Sequence, residues 1–131
     1  MARPSGPSAP RTVLLVEDDD LALKSLTMVV SALGYIVLAV SCGEEALKVV
    51  TTKDIHLLMT DFHLPGINGV DLAAEIRKSG LHVPVILISG YLNESVQEKA
   101  RDAQINVMLP KPPDLKKLED TLVELLDQSC N

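Results

Sequence analysis

The segment 13-VLLVEDDD-20 joins four apolar residues directly to four acidic ones. Its apolar half is short and made of Val and Leu, which favours a buried strand. Its acidic half sets carboxylates side by side, and two of these about 4 Å apart repel by roughly 1 kcal/mol in water and about 4 kcal/mol at a protein surface. Two explanations fit the octapeptide: a solvated acidic loop that also caps a helix, or a cation site.

Strand and helix patterns alternate along the rest of the chain. Apolar runs predict five strands, at residues 12–16, 35–40, 56–60, 83–89 and 106–109. Helical spacing of apolar residues predicts five helices, at about 20–33, 41–51, 69–79, 93–103 and 113–128. This alternation predicts an α/β fold, a doubly wound parallel sheet with helices on both faces.

Several helix starts carry local signals. Ser41 with Glu44 three positions later has the capping-box pattern. Pro113 precedes a stripe of leucines and suits the first turn of the last helix. Asp19 and Asp20 are interpreted as acids that the helix dipole favours.

The termini and the composition bound the class of protein. Residues 1–11, rich in Pro and Ser, predict a flexible tail or linker; 12–128 form one domain, and 129–131 a frayed C-terminus. A net charge of −6 argues against binding to nucleic acid or anionic lipid, and the apolar runs are too short to span a membrane. No signal-peptide pattern is present, and Cys42 and Cys130 have no CxxC partner, so a reducing, cytoplasmic location is expected.

Residues capable of chemistry follow four of the five predicted strands. Because ligands of doubly wound folds bind beyond the carboxyl ends of the strands, these residues define a candidate site. Their acidic oxygens suit Mg²⁺ better than Ca²⁺, and no EF-hand loop is present. The residues, in strand order, are Glu17 and Asp18, Asp61, Ser89 and Gly90, and Lys111 and Pro112.

Four segments carry a family resemblance. They are "LLVEDDD" (14–20), "MTDFHLPGINGVDL" (59–72), "VILISGY" (85–91) and "LPKP" (109–112). In order and interval they resemble the signature segments of the response-regulator receiver domain of two-component signalling, over about residues 12–128. The "LISGY" wording is similar to receivers of hybrid histidine kinases. The resemblance implies a five-stranded, flavodoxin-like (βα)₅ fold with strand order 2-1-3-4-5.

The resemblance also implies a phospho-accepting site. Asp61 would take a phosphoryl group from the phosphohistidine of a histidine kinase or a histidine phosphotransfer domain. Asp18, Asp61 and the backbone carbonyl of His63 would bind Mg²⁺, with Glu17 acting from behind these ligands or through water. The domain would be a signalling module rather than an enzyme, catalysing only its own phosphorylation and slow autodephosphorylation.

Further roles follow from the same resemblance. Lys111 and the Ser89 hydroxyl would bind the phosphoryl oxygens, and the small Gly90 would leave a path to them. The bond between Lys111 and Pro112 is a candidate cis peptide. Met108 stands where the family usually has a Tyr or Phe that acts as a rotamer switch.

Two regions are expected to set the output. The face formed by residues 93–128 would bind an effector or form a dimer. His63 and Tyr91 lie where relatives orient the water that hydrolyses the acyl phosphate, and their bulk predicts a phosphorylated form that lasts minutes to hours.

Two other functions remain open. A Mg²⁺-dependent phosphohydrolase of related topology usually needs a second acid two residues after its nucleophile, but Phe62 and His63 follow Asp61. A degenerate receiver that serves as a binding scaffold has Met108 in its favour. A dinucleotide-binding domain is excluded, because no GxGxxG follows the first strand. The sequence names neither the kinase nor the oligomeric state.

Overall fold

In the computed structural model, which describes residues 10–90 and 92–127, five strands alternate with five helices. The strands are β1 (Thr12–Val16), β2 (Ile36–Val40), β3 (Leu57–Asp61), β4 (Val85–Ser89) and β5 (Val107–Pro110). The helices are α1 (Asp20–Ala32), α2 (Gly43–Thr52), α3 (Gly69–Lys78), α4 (Glu94–Asp102) and α5 (Leu115–Leu122). A π-helical turn, Val123–Asp127, continues α5. Most of the predicted tail, Tyr91, and residues 129–131 lie outside the described residues.

All five strands are parallel, in the order β2-β1-β3-β4-β5. The predicted flavodoxin-like topology is therefore confirmed. The order of strands reverses between β1 and β3, which are neighbours in the sheet although β2 lies between them in the chain. This reversal opens a crevice at the carboxyl ends of β1 and β3, where doubly wound folds bind ligands.

Helices cover the sheet in two layers. Side chains that alternate along β1, β3 and β4 point to opposite faces, so each strand supplies both layers. The layer against α1 and α5 includes Val13, Leu15, Met59, Ile86 and Leu118. The layer against α2, α3 and α4 includes Leu14, Leu58, Ile76, Leu87 and Ala100. Each fully buried Leu or Ile stabilises the fold by about 1.5–3 kcal/mol relative to exposure.

The edge strand β2 departs from the expectation of cover on both faces. Its pattern is only partly buried, and Ile36 remains 46% exposed. The central strands β3 and β4 are buried at every position. Continuous apolar sequence therefore identified the strands, but it did not distinguish an edge from the centre.

The capping-box prediction for α2 is wrong. The helix begins at Gly43, and its N-cap Cys42 makes no side-chain capping bond. Instead the main-chain N–H and the hydroxyl of Ser41 both donate to Glu45 Oε1, at 3.1 and 3.0 Å. The N-cap lies one residue later than the predicted Ser41, so Glu45 rather than Glu44 accepts from Ser41, which lies before the cap.

The last helix also starts later than predicted. Asp114 is its N-cap and accepts from the Lys117 N–H at 2.9 Å, and Pro113 lies before it. Leu118 and Leu122 are buried as the leucine stripe predicted, but Leu115 is 56% exposed. Among the described residues, no helix has both the length and the apolarity that a membrane crossing needs.

Candidate functional site

Three carboxylates meet at the carboxyl ends of β1 and β3. Glu17 and Asp18 follow β1 directly, and Asp61 is the last residue of β3. Glu17 and Asp61 are 2% and 6% exposed, whereas Asp18 is exposed to solvent. One carboxylate oxygen from each lies within 4.8 Å of the others. Such a set of oxygen donors fits Mg²⁺, which keeps part of its water shell.

Lys111 compensates the negative charge of this cluster. Its Nζ lies 2.8 Å from Glu17 Oε1 and 2.8 Å from Asp61 Oδ2. The main-chain N–H of Lys111 donates to the Ser89 carbonyl at 3.0 Å, which fixes its backbone at the end of β4. The peptide bond between Lys111 and Pro112 is cis. One ammonium group thus bridges two buried carboxylates at the carboxyl ends of two different strands, β1 and β3.

The local electrostatics follow from burial and these bonds. Burial raises the pKa of Glu17, while the bonds from Lys111 and from the Asp19 N–H oppose the rise. Burial lowers the pKa of Lys111, but its bonds to Asp61 and Glu17 outweigh this and leave the pKa above its ordinary value. Lys111 is therefore a cation throughout the physiological range.

The loop after β3 packs tightly against Asp61. The Gly69 N–H donates to the Phe62 carbonyl at 2.9 Å, which folds the loop back over the strand end. A β-carbon at Gly69 would overlap the carbonyl oxygen of Asp61. Asn68 caps α3 by accepting from the Asp71 N–H at 2.8 Å. The start of α3 therefore packs directly against the main chain of Asp61.

Ser89 and Met108 lie on the neighbouring strands β4 and β5, and Gly90 follows β4 directly. Ser89 is fully buried at the end of β4, opposite Pro110 of β5. A β-carbon at Gly90 would meet no atom within 4 Å, so this side of the site is open. Met108 is half-buried and packs against the α2–α4 layer.

The remaining residues named from the sequence have simpler surroundings. His63 is exposed, and its ring meets the Phe62 ring edge-on at a centroid distance of 4.8 Å. Asp19 caps α1 by accepting from the Ala22 N–H at 2.8 Å, which confirms its interpretation as a helix-start acid. Tyr91 lies outside the described residues.

An apolar groove next to the site escaped sequence reasoning. It has a cavity volume of about 430 Å³ and lies between α1 and the start of α5, with Lys111 at its edge. Leu21 and Leu115, which are 74% and 56% exposed, form part of its wall. Their exposure depends on how two distant helices pack, which periodicity along one helix cannot predict.

His56 also has a role that the sequence did not indicate. Its ring Nδ1 accepts from the Thr12 N–H at 2.9 Å, and the main-chain N–H of His56 donates to the Thr12 carbonyl at 2.8 Å. It ties the start of β1 to β3, at the sheet edge away from the carboxylates.

Comparison with known proteins gives a family match over most of the chain. The family model described as "Response regulator receiver domain" matches residues 13–123. Protein RcaC of Microchaete diplosiphon is 32% identical over 91% of this chain and 18% of its own length. Sensor kinase CckA of Brucella abortus is 32% identical over 92% of this chain and 13% of its own length. The chain therefore spans less than a fifth of either relative.

One curated relative is close to this chain in size. The polar-differentiation response regulator DivK of Brucella anthropi is 24% identical over 89% of this chain and 97% of its own length. Among solved structures, the signal receiver domain of an HD domain-containing protein from Pseudomonas fluorescens has a TM-score of 0.87 at 25% identity. That similarity covers 92% of this chain and 98% of the solved one.

Proposed function

Because the chain belongs to the response regulator receiver domain family, we propose that Asp61 accepts a phosphoryl group from the phosphohistidine of a histidine kinase or a histidine phosphotransfer domain. One observation carries this assignment. The buried Asp61 carboxylate lies 2.8 Å from Lys111 and within 4.8 Å of two further acids. A carboxylate nucleophile, a cation and a set of metal ligands thus meet at one point.

The transfer requires little covalent chemistry from the protein. An Asp61 oxygen forms a bond to phosphorus while the phosphorus–nitrogen bond of the donor breaks, and the imidazole leaves with that electron pair. The product is an acyl phosphate on Asp61. Positioning and charge neutralisation account for most of the catalysis in such a step.

A bound metal ion, Lys111 and the Ser89 hydroxyl would provide that neutralisation. Asp18, Asp61 and the main-chain carbonyl of His63 would hold Mg²⁺, with Glu17 acting from behind them or through water. The metal, when bound, supplies positive charge to the transferring phosphoryl oxygens. Lys111, which bridges the acids in this structure, would turn to those oxygens, and the Ser89 hydroxyl would donate to them.

The donor would approach over the groove between α1 and α5. The groove is apolar, it opens beside Lys111, and exposed Leu21 and Leu115 border it. An apolar helix face of the donor fits such a surface. After phosphorylation, the face formed by residues 93–128 would bind an effector or a second copy of the chain. Both encounters would take place in the cytoplasm.

As a catalyst, the domain would act only on itself: it would catalyse its own phosphorylation from the donor and its own slow dephosphorylation. A phosphohydrolase is disfavoured because Phe62 and His63, not an acid, follow Asp61. A degenerate scaffold is disfavoured because Asp18, Asp61 and Lys111 are all present and Lys111 contacts Asp61.

Incubation with acetyl phosphate and Mg²⁺, followed by intact mass, tests the proposal. A gain of one phosphoryl group that requires Mg²⁺ is the expected result. Release of inorganic phosphate without an adduct would support the hydrolase instead, and neither adduct nor release would support the scaffold.

A further inference from the structure

Arg77, in the last turn of α3, donates hydrogen bonds to acceptors that precede two different strands. Its Nη1 donates to the carbonyl of Val83, two residues before β4. Its Nη2 donates to the carbonyl of Gln104 at 2.8 Å and lies 3.5 Å from Asn106 Oδ1, both before β5. One guanidinium therefore joins α3, the entry to β4 and the turn between α4 and β5.

The Arg77 guanidinium donates its hydrogen bonds to neutral acceptors. The side chain is half-buried, and burial lowers its pKa. Within the described part of the chain, no carboxylate forms an ion pair with it, and its buried Nε has no hydrogen-bond partner. The planar fork of an arginine can serve several acceptors at once, which a lysine cannot do with the same geometry.

Asn106 extends this junction into the sheet. Its side-chain Oδ1 also accepts from the Val85 N–H at 2.8 Å, and the main-chain N–H of Asn106 donates to the Val85 carbonyl at 3.0 Å. The start of the pairing between β4 and β5 is thus held by both the side chain and the main chain of Asn106. Lys111 of the phosphorylation site lies beyond the other end of β5.

Helix α4, which enters this junction, is weakly packed. It buries only Val96 and Ala100, whereas α3 buries five residues. Its exit passes through Gln104, which has a φ of 62° although it is not glycine. A non-glycine residue in this region costs free energy and persists only where its surroundings hold it. Two bonds of the helix end hold it, from the Gln104 N–H to the Arg101 carbonyl at 3.0 Å and from the Ile105 N–H to the Ala100 carbonyl at 2.9 Å. The Arg77 bond to the Gln104 carbonyl adds a restraint from α3.

We propose that Arg77 is the fixed pivot of the switch: it pins the exit of α4 and the start of β5, so that phosphorylation moves α4 and the far end of β5 about this point. The inference rests on the proposed function for the event that drives the movement. Arg77 is a positioning residue, since it lies at the sheet edge opposite Asp61 and touches no reacting atom.

Amide hydrogen exchange with and without acetyl phosphate and Mg²⁺ tests the pivot. In the native protein, exchange should change on phosphorylation in α4 and near Lys111 but stay constant at residues 104–106. In Arg77→Ala, exchange at residues 104–106 should rise about tenfold without phosphorylation, because local opening becomes easier. The further change in α4 on phosphorylation should then shrink to less than about half of the native one.

Two variants make the result decisive. Lys78→Ala removes the same charge one residue later, from a side chain that is 75% exposed, and should behave as the native protein does. Asn106→Ala removes part of the same junction and should reproduce Arg77→Ala even if the latter fails to fold. Intact mass is recorded on every sample.

The outcomes separate the two claims. An adduct on Arg77→Ala at the native rate, together with an altered exchange response, supports the pivot. A native adduct with an unchanged response in both Arg77→Ala and Asn106→Ala would overturn the pivot alone. Absence of any adduct on the native protein would overturn the proposed function and the switch that depends on it.

Discussion

At the scale of single residues, the site depends on one cation shared between two buried acids. Glu17 and Asp61 are both almost inaccessible to water, and Lys111 reaches each of them at 2.8 Å. Truncating Lys111 would leave both buried carboxylates without their cation, and an uncompensated buried charge commonly costs about 3–5 kcal/mol. Lys111 therefore stabilises the site through both ion pairs, and in the proposed function it would turn to the phosphoryl oxygens.

A second charged contact gives a pH-dependent prediction. The bonds from the Ser41 N–H and hydroxyl lower the pKa of Glu45. Since the pKa is lower in the folded state, the contact stabilises the fold above the ordinary pKa of 4.5 and is lost as pH falls through the folded-state pKa. Glu45→Gln should therefore lower the Tm at pH 7, and the difference from the native protein should shrink as the pH falls below 4.5 and Glu45 becomes protonated in the folded state.

A double-mutant cycle with Ser41→Ala isolates the hydroxyl bond to Glu45, since the main-chain N–H of residue 41 is unchanged. Coupling between the two positions should be measurable at pH 7 and absent in acid. Equal coupling at both pH values would contradict the assignment.

The proposed function also gives a prediction for the lifetime of a phosphorylated form. By the family resemblance, the residues at positions 63 and 91 would orient the hydrolytic water, and neither His63 nor Tyr91 is an acid or an amide, so we expect decay over minutes to hours. The measurement is loss of the adduct in Mg²⁺ buffer after the donor is removed, for the native protein and for His63→Asn with Tyr91→Glu. Decay of the native protein within seconds, or a double variant that decays no faster, would refute this.

At the scale of elements, the sequence predicted the strands and helices well and their ends less well. The strands were identifiable because each is an apolar run with polar residues after it. The start of α2 was misplaced because Ser41 can bond to Glu45 from outside the helix, and sequence spacing does not show which residue turns first. The exposure of Leu115 was not predictable, because it depends on where α1 lies.

The junction between β3 and α3 gives the sharpest test at this scale. Gly69→Ala should destabilise the fold by about 1–3 kcal/mol or more, because the added methyl group overlaps the Asp61 carbonyl oxygen and crowds Leu87. It should also slow phosphorylation, since Asp61 must shift. Urea unfolding and labelling rates measure the two effects.

Gly90→Ala is the matched control for that variant. Its added methyl group meets no atom within 4 Å, so the free energy of unfolding should stay nearly constant. Equal destabilisation by the two variants would contradict the assignment of the cost at Gly69 to overlap with the Asp61 carbonyl oxygen.

At the scale of the whole molecule, topology assembles the site. The order β2-β1-β3-β4-β5 makes β1 and β3 neighbours and sets β4 and β5 beside them, so residues up to 94 positions apart come into contact. From the sequence, the strand ends could be assigned to one sheet edge. The contact of Lys111 with both Glu17 and Asp61 could not, because it depends on how the sheet twists and on the path of the chain after β5.

Mg²⁺ should stabilise the entire fold through this site. The three carboxylates lie within 4.8 Å of one another, and a ligand that binds only the native state adds about 1.4 kcal/mol at ten times its Kd. The Tm should rise by several degrees in millimolar Mg²⁺. Asp18→Ala is the control, and an equal rise in that variant would argue against metal binding at this site.

The most direct test of the central claim is to locate the phosphoryl group. The protein is treated with acetyl phosphate and Mg²⁺, and the modified peptide is identified by mass spectrometry for the native protein, Asp61→Asn and Asp20→Asn. Asp61→Asn should remain folded, because an amide oxygen can still accept from Lys111, but it should gain no phosphoryl group. The native protein and Asp20→Asn should each gain one, on Asp61. Full labelling of Asp61→Asn, or a phosphoryl group on another residue, would contradict the account.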